Sequence, residues 1–488
     1  MRKAIIFSTL LASATLSING QNVDDFRRER LRMLADYNAF RDDILNNYAK
    51  FLAEAWDNYK LMRGEKRYPD KKPYITPNAP DEGKTPLTVP DKTPLSAPKG
   101  TLPEPIMPQE PIPAPTQSPQ VEPTTIDPMT EKIDFPFYGI RMKAAKVEVR
   151  QLASVNEKDV SACWARMQHD GIYEKAAPSL KLLATGAGMS DWLMFVLVRQ
   201  YADAVCHGEK NTATVFSHYL LANMGYDVRL GKAGNEMALL VAFRQMVYTR
   251  PYFILDGKKY FLFLDDNGPL KRQVANVSTC TIPTGADLGK PLNLVLTAPK
   301  VCTGKNIQFE NTGNGISVSG TVDNIAKRIA DEFPQTEIPV YAASCLQKDF
   351  REKLLAQVGE QVKGMAERDA ANTILQFVQL AFKYKTDDEQ FGYEKSFFVE
   401  ENFIYPANDC EDRAILYAFL VKNILHLDVH LLYYPNHEAT AVAFSDQSAN
   451  GDGYDYKGKR FTICDPTYIG ASVGECMPQY KSVKPKIQ

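Results

Sequence analysis

Three residues of this 488-residue chain, Cys410, His437 and Asp465, have the types and surroundings from which a nucleophilic site can be built. Cys410 stands in Asn408-Asp409-Cys410-Glu411-Asp412-Arg413, directly before an apolar run at residues 414–421. That run is apolar almost all round, as a buried helix is, and it would hold Cys410 rigidly at its tip. Only a thiolate attacks. A helix N-terminus and a nearby imidazolium both favour it by lowering the thiol pKa.

His437 opens an alternating segment at residues 437–444, and Asp465 closes a second one at 460–465. Between them lies Asn450-Gly451-Asp452-Gly453, a turn sequence. An antiparallel hairpin on that turn sets the start of one strand beside the end of the other, and so His437 beside Asp465. The carboxylate would then fix the imidazole tautomer and steady its charge while the imidazole serves as base and then acid. Asp412 suits the dipole of the first helical turn, and Arg413 is expected to pair with a carboxylate. Glu411 has no assigned role.

In this order and context the three residues, with the flanking Asp-Cys-Glu-Asp and Asp-Pro-Thr, resemble the transglutaminase-like superfamily of cysteine enzymes. The resemblance covers about residues 374–480 and includes Phe391-Gly392-Tyr393-Glu394-Lys395 ahead of the nucleophile. It implies a papain-like α+β fold and acyl transfer through a thioester. The reaction would be hydrolysis of a peptide or isopeptide bond in a protein or peptide substrate, or cross-linking onto an amine. Hydrolysis comes first, because cross-linking needs water excluded. Family members often add an oxyanion-stabilising side chain, for which Gln390 and Tyr393 are the candidates. The rival is a non-catalytic envelope protein that binds peptide or glycan.

The chain also repeats itself. Shifted back by 201 residues, Ala414 falls on Ala213, Asp428-Val429 on Asp227-Val228, Val442-Ala443-Phe444 on Val241-Ala242-Phe243, and Gly458-Lys459 on Gly257-Lys258. Glu209 then stands in place of Cys410, Glu236 in place of His437 and Asn211 in place of Asp412, with Asp265 one position from that of Asp465. The first copy has no nucleophile and reads as a degenerate scaffold or binding module. It also lacks a segment at about 384–409 that the second copy carries. Each copy has a β-rich lead-in, at 137–142 and 315–320, and a small-residue Cys segment (Cys163, Cys345) ahead of a helix. Residues 292–320 read as strands and turns.

The expected organisation is therefore α+β: tandem transglutaminase-like modules behind a long helix and a Pro-rich linker. Residues 1–20, with Arg2-Lys3 and a short apolar core, read as a secretory signal peptide cut before Gln21. Residues 21–67 form a long helix whose Phe26, Tyr37, Tyr48 and Tyr59 recur every eleven residues. This stripe packs on the protein's own body, or else on an envelope partner or a second copy. Residues 68–130 hold more than half of the chain's 31 prolines and form an extended tether. Residues 131–290 are the degenerate module and 291–488 the catalytic one.

No stretch reaches the ~18 apolar residues of a membrane span. The net charge of −2, with no basic block in the globular part, argues against nucleic acid as partner. The protein is expected in the periplasm, or outside the cell in contact with the envelope. Export permits disulfides among the eight cysteines; Cys163 with Cys206, and Cys280 with Cys302, are both possible. No Cys/His spacing suits zinc, and the acidic loop at 446–455 reads as solvated turn rather than a calcium site. Neither metal nor cofactor is expected.

Overall fold

The computed structural model describes residues 131–248, 250–264, 267, 277–280, 289–301, 303–446 and 451–488. The expected signal peptide, striped helix and Pro-rich linker, with Asp265 and Cys302, lie outside them. Among the described residues no helix is long and apolar enough to cross a membrane.

The described chain is mixed helix and sheet. It begins with a hairpin, β1 (Lys132–Phe137) and β2 (Ile140–Ala145). Alternation buries Phe135 and Phe137 and leaves Asp134 and Pro136 outward. The turn residues Tyr138 and Gly139 both have positive φ, at 44° and 91°, as a two-residue hairpin turn requires. Four helices follow: α1 (Glu157–His169), α2 (Ile172–Ala187), α3 (Asp191–Val205) and α4 (Lys210–Asn223). The strands β3 (Val228–Ala233), β4 (Glu236–Val241), β5 (Tyr252–Leu255), β6 (Lys258–Phe263) and β7 (Ser278–Thr279) complete the first half. They form a curled sheet in the order β5-β6-β4-β3-β7.

The second half runs through the same plan. The hairpin β8 (Asn306–Gly313) and β9 (Ile316–Asp323) is followed by α5 (Asn324–Glu332), α6 (Ile338–Ala343), α7 (Lys348–Val362) and α8 (Glu367–Leu380). After a further segment come α10 (Cys410–Ile424) and the strands β12 (Asp428–Tyr434), β13 (His437–Ala443), β14 (Gly453–Tyr456), β15 (Lys459–Cys464) and β16 (Lys486–Ile487). Their order, β14-β15-β13-β12-β16, is that of the first sheet. The packing repeats too: α2 lies on β2 and α3 on β1, as α7 lies on β9 and α8 on β8.

Two spacings relate the halves. The hairpin-turn glycines Gly139 and Gly315 stand 176 residues apart, as do the helix starts Asp191 and Glu367. From the last helix onward the spacing is 201, as between Lys258 and Lys459 at the starts of β6 and β15. The 25-residue difference is the segment that links α8 to α10 in the second half only. It holds β10 (Lys383–Tyr384), the single-turn α9 (Asp387–Gln390), a 3-10 turn (Val399–Phe403) and β11 (Ala407–Asn408). β10 and β11 pair in parallel. The segment is pinned by two buried ion pairs, Lys395 with Glu401 and Arg351 bidentate with Glu400 at 2.8 and 3.0 Å.

One hydrophobic core runs through both halves. Trp192 of α3, fully buried, meets Phe333, which follows α5, at a centroid distance of 5.9 Å. Backbone bonds cross the same seam: Ala298 N–H donates to Cys345 O at 2.6 Å and Cys345 N–H to Leu296 O at 3.0 Å.

Several expectations are corrected. The strands carrying His437 and Asp465 pair in register, Thr440 with Cys464 and Ala443 with Phe461, but they do not form one hairpin. β14 intervenes, and the tight turn is at Lys457-Gly458, both at positive φ. Cys163 lies inside α1 rather than ahead of a helix. Neither Cys163 nor Cys206 is in a disulfide; both thiols are buried, and Cys163 Sγ faces Arg150 O at 3.8 Å. Burial, with Cys163, Asp203 and Glu209 nearby, pushes the Cys206 thiol up to about 12. Cys280 is free as well. Within the acidic loop Asp452 is buried, not solvated: its carboxylate takes the Cys476 N–H at 3.1 Å and Lys481 Nζ at 2.8 Å.

Candidate active site

Cys410 is the first residue of α10, with Asp409 as its N-cap. The helix is buried along nearly its whole first half, from Glu411 to Tyr417. Its start is fixed from the linking segment. Asp412 Oδ1 accepts the Phe397 N–H at 2.7 Å, and its Oδ2 accepts the Asp409 N–H at 3.3 Å. Asp412 is thus an anchor for the segment as well as a dipole partner.

Arg413, fully buried, meets no carboxylate among its hydrogen bonds. It donates to Asn408 Oδ1 at 2.8 Å, Phe382 O at 2.8 Å and Gln379 O at 3.4 Å. Backbone carbonyls of α8 and its exit take the place of the expected carboxylate. Burial draws its guanidinium down to about 10.

His437 opens β13, and Asp465 lies one residue beyond β15. Both are almost fully buried, at 3% and 2% exposure, and His437 Nε2 meets Asp465 Oδ2 at 2.7 Å. The other carboxylate oxygen, Oδ1, accepts the Thr467 and Tyr468 N–H groups at 2.9 and 3.1 Å. This local turn fixes the carboxylate, which in turn fixes the ring. The imidazole lies face to face with Tyr480, centroids 5.0 Å apart and planes 6° apart.

Gln379 of α8 locks the same loop. Its amide nitrogen donates to the carbonyls of Asp465, Tyr468 and Ala471 at 3.1, 2.9 and 3.1 Å, and its oxygen accepts the Gly470 N–H at 3.2 Å. Gln379 and Tyr480 were missed in the sequence. A glutamine on the buried face of an amphipathic helix was the available hint for the first; Tyr480 gave none.

The thiol does not bond the imidazole directly among the described residues. Cys410 Sγ is 3.3 Å from Glu411 Oε2, and the backbone N–H of Glu438, the residue after His437, lies near enough to the thiol to act on its pKa. Helix start and strand start are in contact, with His437 Nε2 committed to Asp465. The electrostatics run against the expected activation. Burial first, then the Glu411 and Asp409 carboxylates, hold the thiol well above its ordinary value, and the Glu438 N–H opposes them. A helix dipole and an imidazole lower a thiol pKa, but here two buried acids flank the sulfur and raise it.

The neighbouring acids are themselves perturbed. Burial and mutual repulsion raise Asp409, Glu411 and Asp412 well above the carboxylate range, and Asp387 to about 7. Burial takes Glu438 to about 8, against the Gln488 amide that donates to its Oε1. The two oxyanion candidates differ in setting. Gln390 spends its amide on Ala407 O at 3.1 Å, and Tyr393 is 48% exposed.

The first half has the same frame without the chemistry. Glu209 is the N-cap of α4 and is exposed, and Glu236 opens β4, also exposed. Asn211 accepts the Met237 N–H at 2.8 Å and donates to Asn235 O at 3.1 Å. Met237 occupies the position of Glu438, so the same strand-start amide faces the helix in both halves. An asparagine accepts it in one, and the thiol lies near it in the other. Compared with known proteins, the chain matches no family model, no curated protein and no solved structure.

Proposed function

We propose that the protein is an exported cysteine-dependent acyl-transfer enzyme that hydrolyses peptide or isopeptide bonds through a thioester on Cys410. Its fold would be a tandem of transglutaminase-like modules, the first without a nucleophile. The observation that carries the reading is the buried 2.7 Å bond from His437 Nε2 to Asp465 Oδ2, with the thiol against the next residue's backbone amide. With one ring nitrogen bonded to the carboxylate, the other is the one that would take the thiol proton.

In the reaction the imidazole takes the Sγ proton as the sulfur attacks the carbonyl carbon. It returns that proton to the departing amine as the C–N bond breaks. Water then adds to the thioester, giving its proton to the imidazole, and the acid leaves as Sγ is re-protonated. An amine in place of water gives cross-linking, the second choice. The flanking acids favour a neutral thiol at rest, so deprotonation accompanies attack and general-base chemistry replaces a preformed thiolate. Asp465 holds the tautomer and offsets the imidazolium that forms.

The test is iodoacetamide labelling of Cys410 against pH, in wild type and His437→Ala. Labelling that the imidazole accelerates below pH 8, and that the variant loses, supports the enzyme. The burial of the imidazole under Tyr480 and the acids around the thiol favour a second reading. In it the protein is a non-catalytic envelope component that binds peptide or glycan. Ordinary thiol reactivity, equal in both proteins, selects that reading.

A further inference from the structure

The start of α10 gathers more acid than a thiol site uses. Asp387, Glu394 and Glu411 bring carboxylate oxygens within 4.8 Å of one another, and so do Asp387, Asp409 and Asp412. Asp412 is fully engaged by two backbone N–H groups. The others are not. Glu411, 4% exposed, spends Oε2 on the Cys410 thiol, and its Oε1 is buried without a hydrogen-bond donor. Asp409, 7% exposed, has its Oδ1 buried in the same condition. A buried carboxylate oxygen without a donor is costly, by ~1–3 kcal/mol or more for a charged group. Two side by side call for a shared positive charge.

The protein supplies little of it here. Lys395 Nζ is taken by Glu401, and the Arg413 guanidinium by Asn408 and backbone carbonyls. Glu394 is exposed, so one side of the cluster opens to solvent, which is an entry path.

We propose that Asp387, Glu394 and Glu411, with Asp409 against Glu411, form a binding site for one hard divalent cation, calcium by preference. Asp387, Glu394 and Glu411 offer only oxygen, and the sulfur beside Asp409 and Glu411, Cys410 Sγ, is kept a neutral thiol, so a hard cation is the first choice over a soft one. Oxygens on opposite sides of a calcium ion lie about 4.6–5.2 Å apart, twice the usual Ca–O distance. Carboxylate oxygens within 4.8 Å of one another can share one such shell. Magnesium, with oxygens at ~2.0–2.1 Å, demands near-octahedral geometry and keeps several waters, so a cluster of protein carboxylates suits it less. Asp387 and Glu394 belong to the segment present only in the second half, and Glu411 and Asp409 to the helix it leads into. The ion would therefore fasten the inserted segment to α10. This site stands whether or not Cys410 is a nucleophile.

The experiment uses the full chain stripped with chelator, Ca2+ alone as titrant, and calorimetry with thermal melting as readouts. One Ca2+ per chain is expected, with a melting temperature that rises with Ca2+ concentration as linkage requires. In the double variant Glu394→Gln, Glu411→Gln both binding and the rise should be lost. In chelator that variant should melt at or above the wild type, because like charges have been removed, which shows that it folds. Three results overturn the proposal: no Ca2+ binding by wild type at millimolar concentration, binding undiminished in the folded double variant, or a variant that melts below the wild type in chelator. The first, with a more stable variant, means that Asp409 and Glu411 share a proton instead. The second moves the ion elsewhere, the acidic loop at 446–455 being the next place to look.

Discussion

The two halves share a helix, a five-stranded sheet and even an ion pair. Lys258 Nζ meets Asp227 Oδ2 at 2.8 Å, and 201 residues later Lys459 meets Asp428. They differ where the helix begins. In the first half a neutral asparagine joins helix to hairpin and the N-cap glutamate faces solvent. In the second a thiol makes that junction, an imidazole-carboxylate pair is buried beside it, and a 25-residue insertion brings in Asp387 and Glu394. The frame is common to both halves; the insertion and a few side chains at one junction are where they part.

The largest expected effect tests that contrast directly. Cys410→Ala should abolish turnover of any substrate found by trapping adducts on Cys410→Ser, while Glu209→Ala leaves it within a few-fold. Loss of turnover in Glu209→Ala would reverse the assignment of the halves.

Next come the junction anchors. Asp412→Ala strips acceptors from two backbone N–H groups in the buried core and should cost roughly 3 kcal/mol or more. Asn211→Ala, at the matching position, removes one such acceptor near the surface and should cost about 1 kcal/mol. Urea melts of the two variants rank them, and equal losses would mean that the junctions are equivalent.

A pH comparison follows. Glu438 has its folded pKa raised to about 8. Its contribution is fully present below the unfolded carboxylate pKa of ~4.3 and is lost as pH rises through 8, since only the unfolded state ionises in that window. Melts between pH 5 and 8 should decline in wild type and decline less in Glu438→Gln. Met237 occupies the matching position, and Met237→Leu should leave the slope unchanged. An unchanged slope in Glu438→Gln would contradict the burial argument.

The smallest contrast is in the shared ion pair. The Asp227 side chain is 1% exposed and also accepts from Tyr260 at 2.8 Å, whereas that of Asp428 is 60% exposed. Asp428→Asn should change stability by less than about 1 kcal/mol, and Asp227→Asn by visibly more in the same melts.

Much of this was legible in the chain. The helix start at Cys410, the strand starts at His437 and the 201-residue repeat follow from periodicity and turn residues, which are local. The papain-like expectation rested on three residues in order, and of these the structure joins His437 to Asp465 and sets Cys410 against Glu438. What escaped has non-local causes. β14 hid because its four residues, Gly453–Tyr456, were read as turn and loop. Arg413 went to carbonyls because packing, not charge, decided its neighbours. The raised thiol follows from Asp409 and Glu411 being buried together, and burial is not written in a motif. The 176-residue spacing of the upstream elements is invisible until the insertion between α8 and α10 is recognised.

The identical strand order of the two sheets has a consequence for how the chain reaches its native state. A newly made polypeptide with two sheets of one topology offers each hairpin two berths, its own and its twin's. Misassembly of that kind is a known failure of repeat proteins. Divergent side chains at matching positions, Met237 against Glu438 and Arg229 against His430, are what tell the berths apart. Editing the first half toward the second to restore a nucleophile would erase those labels, and the first casualty would be refolding yield.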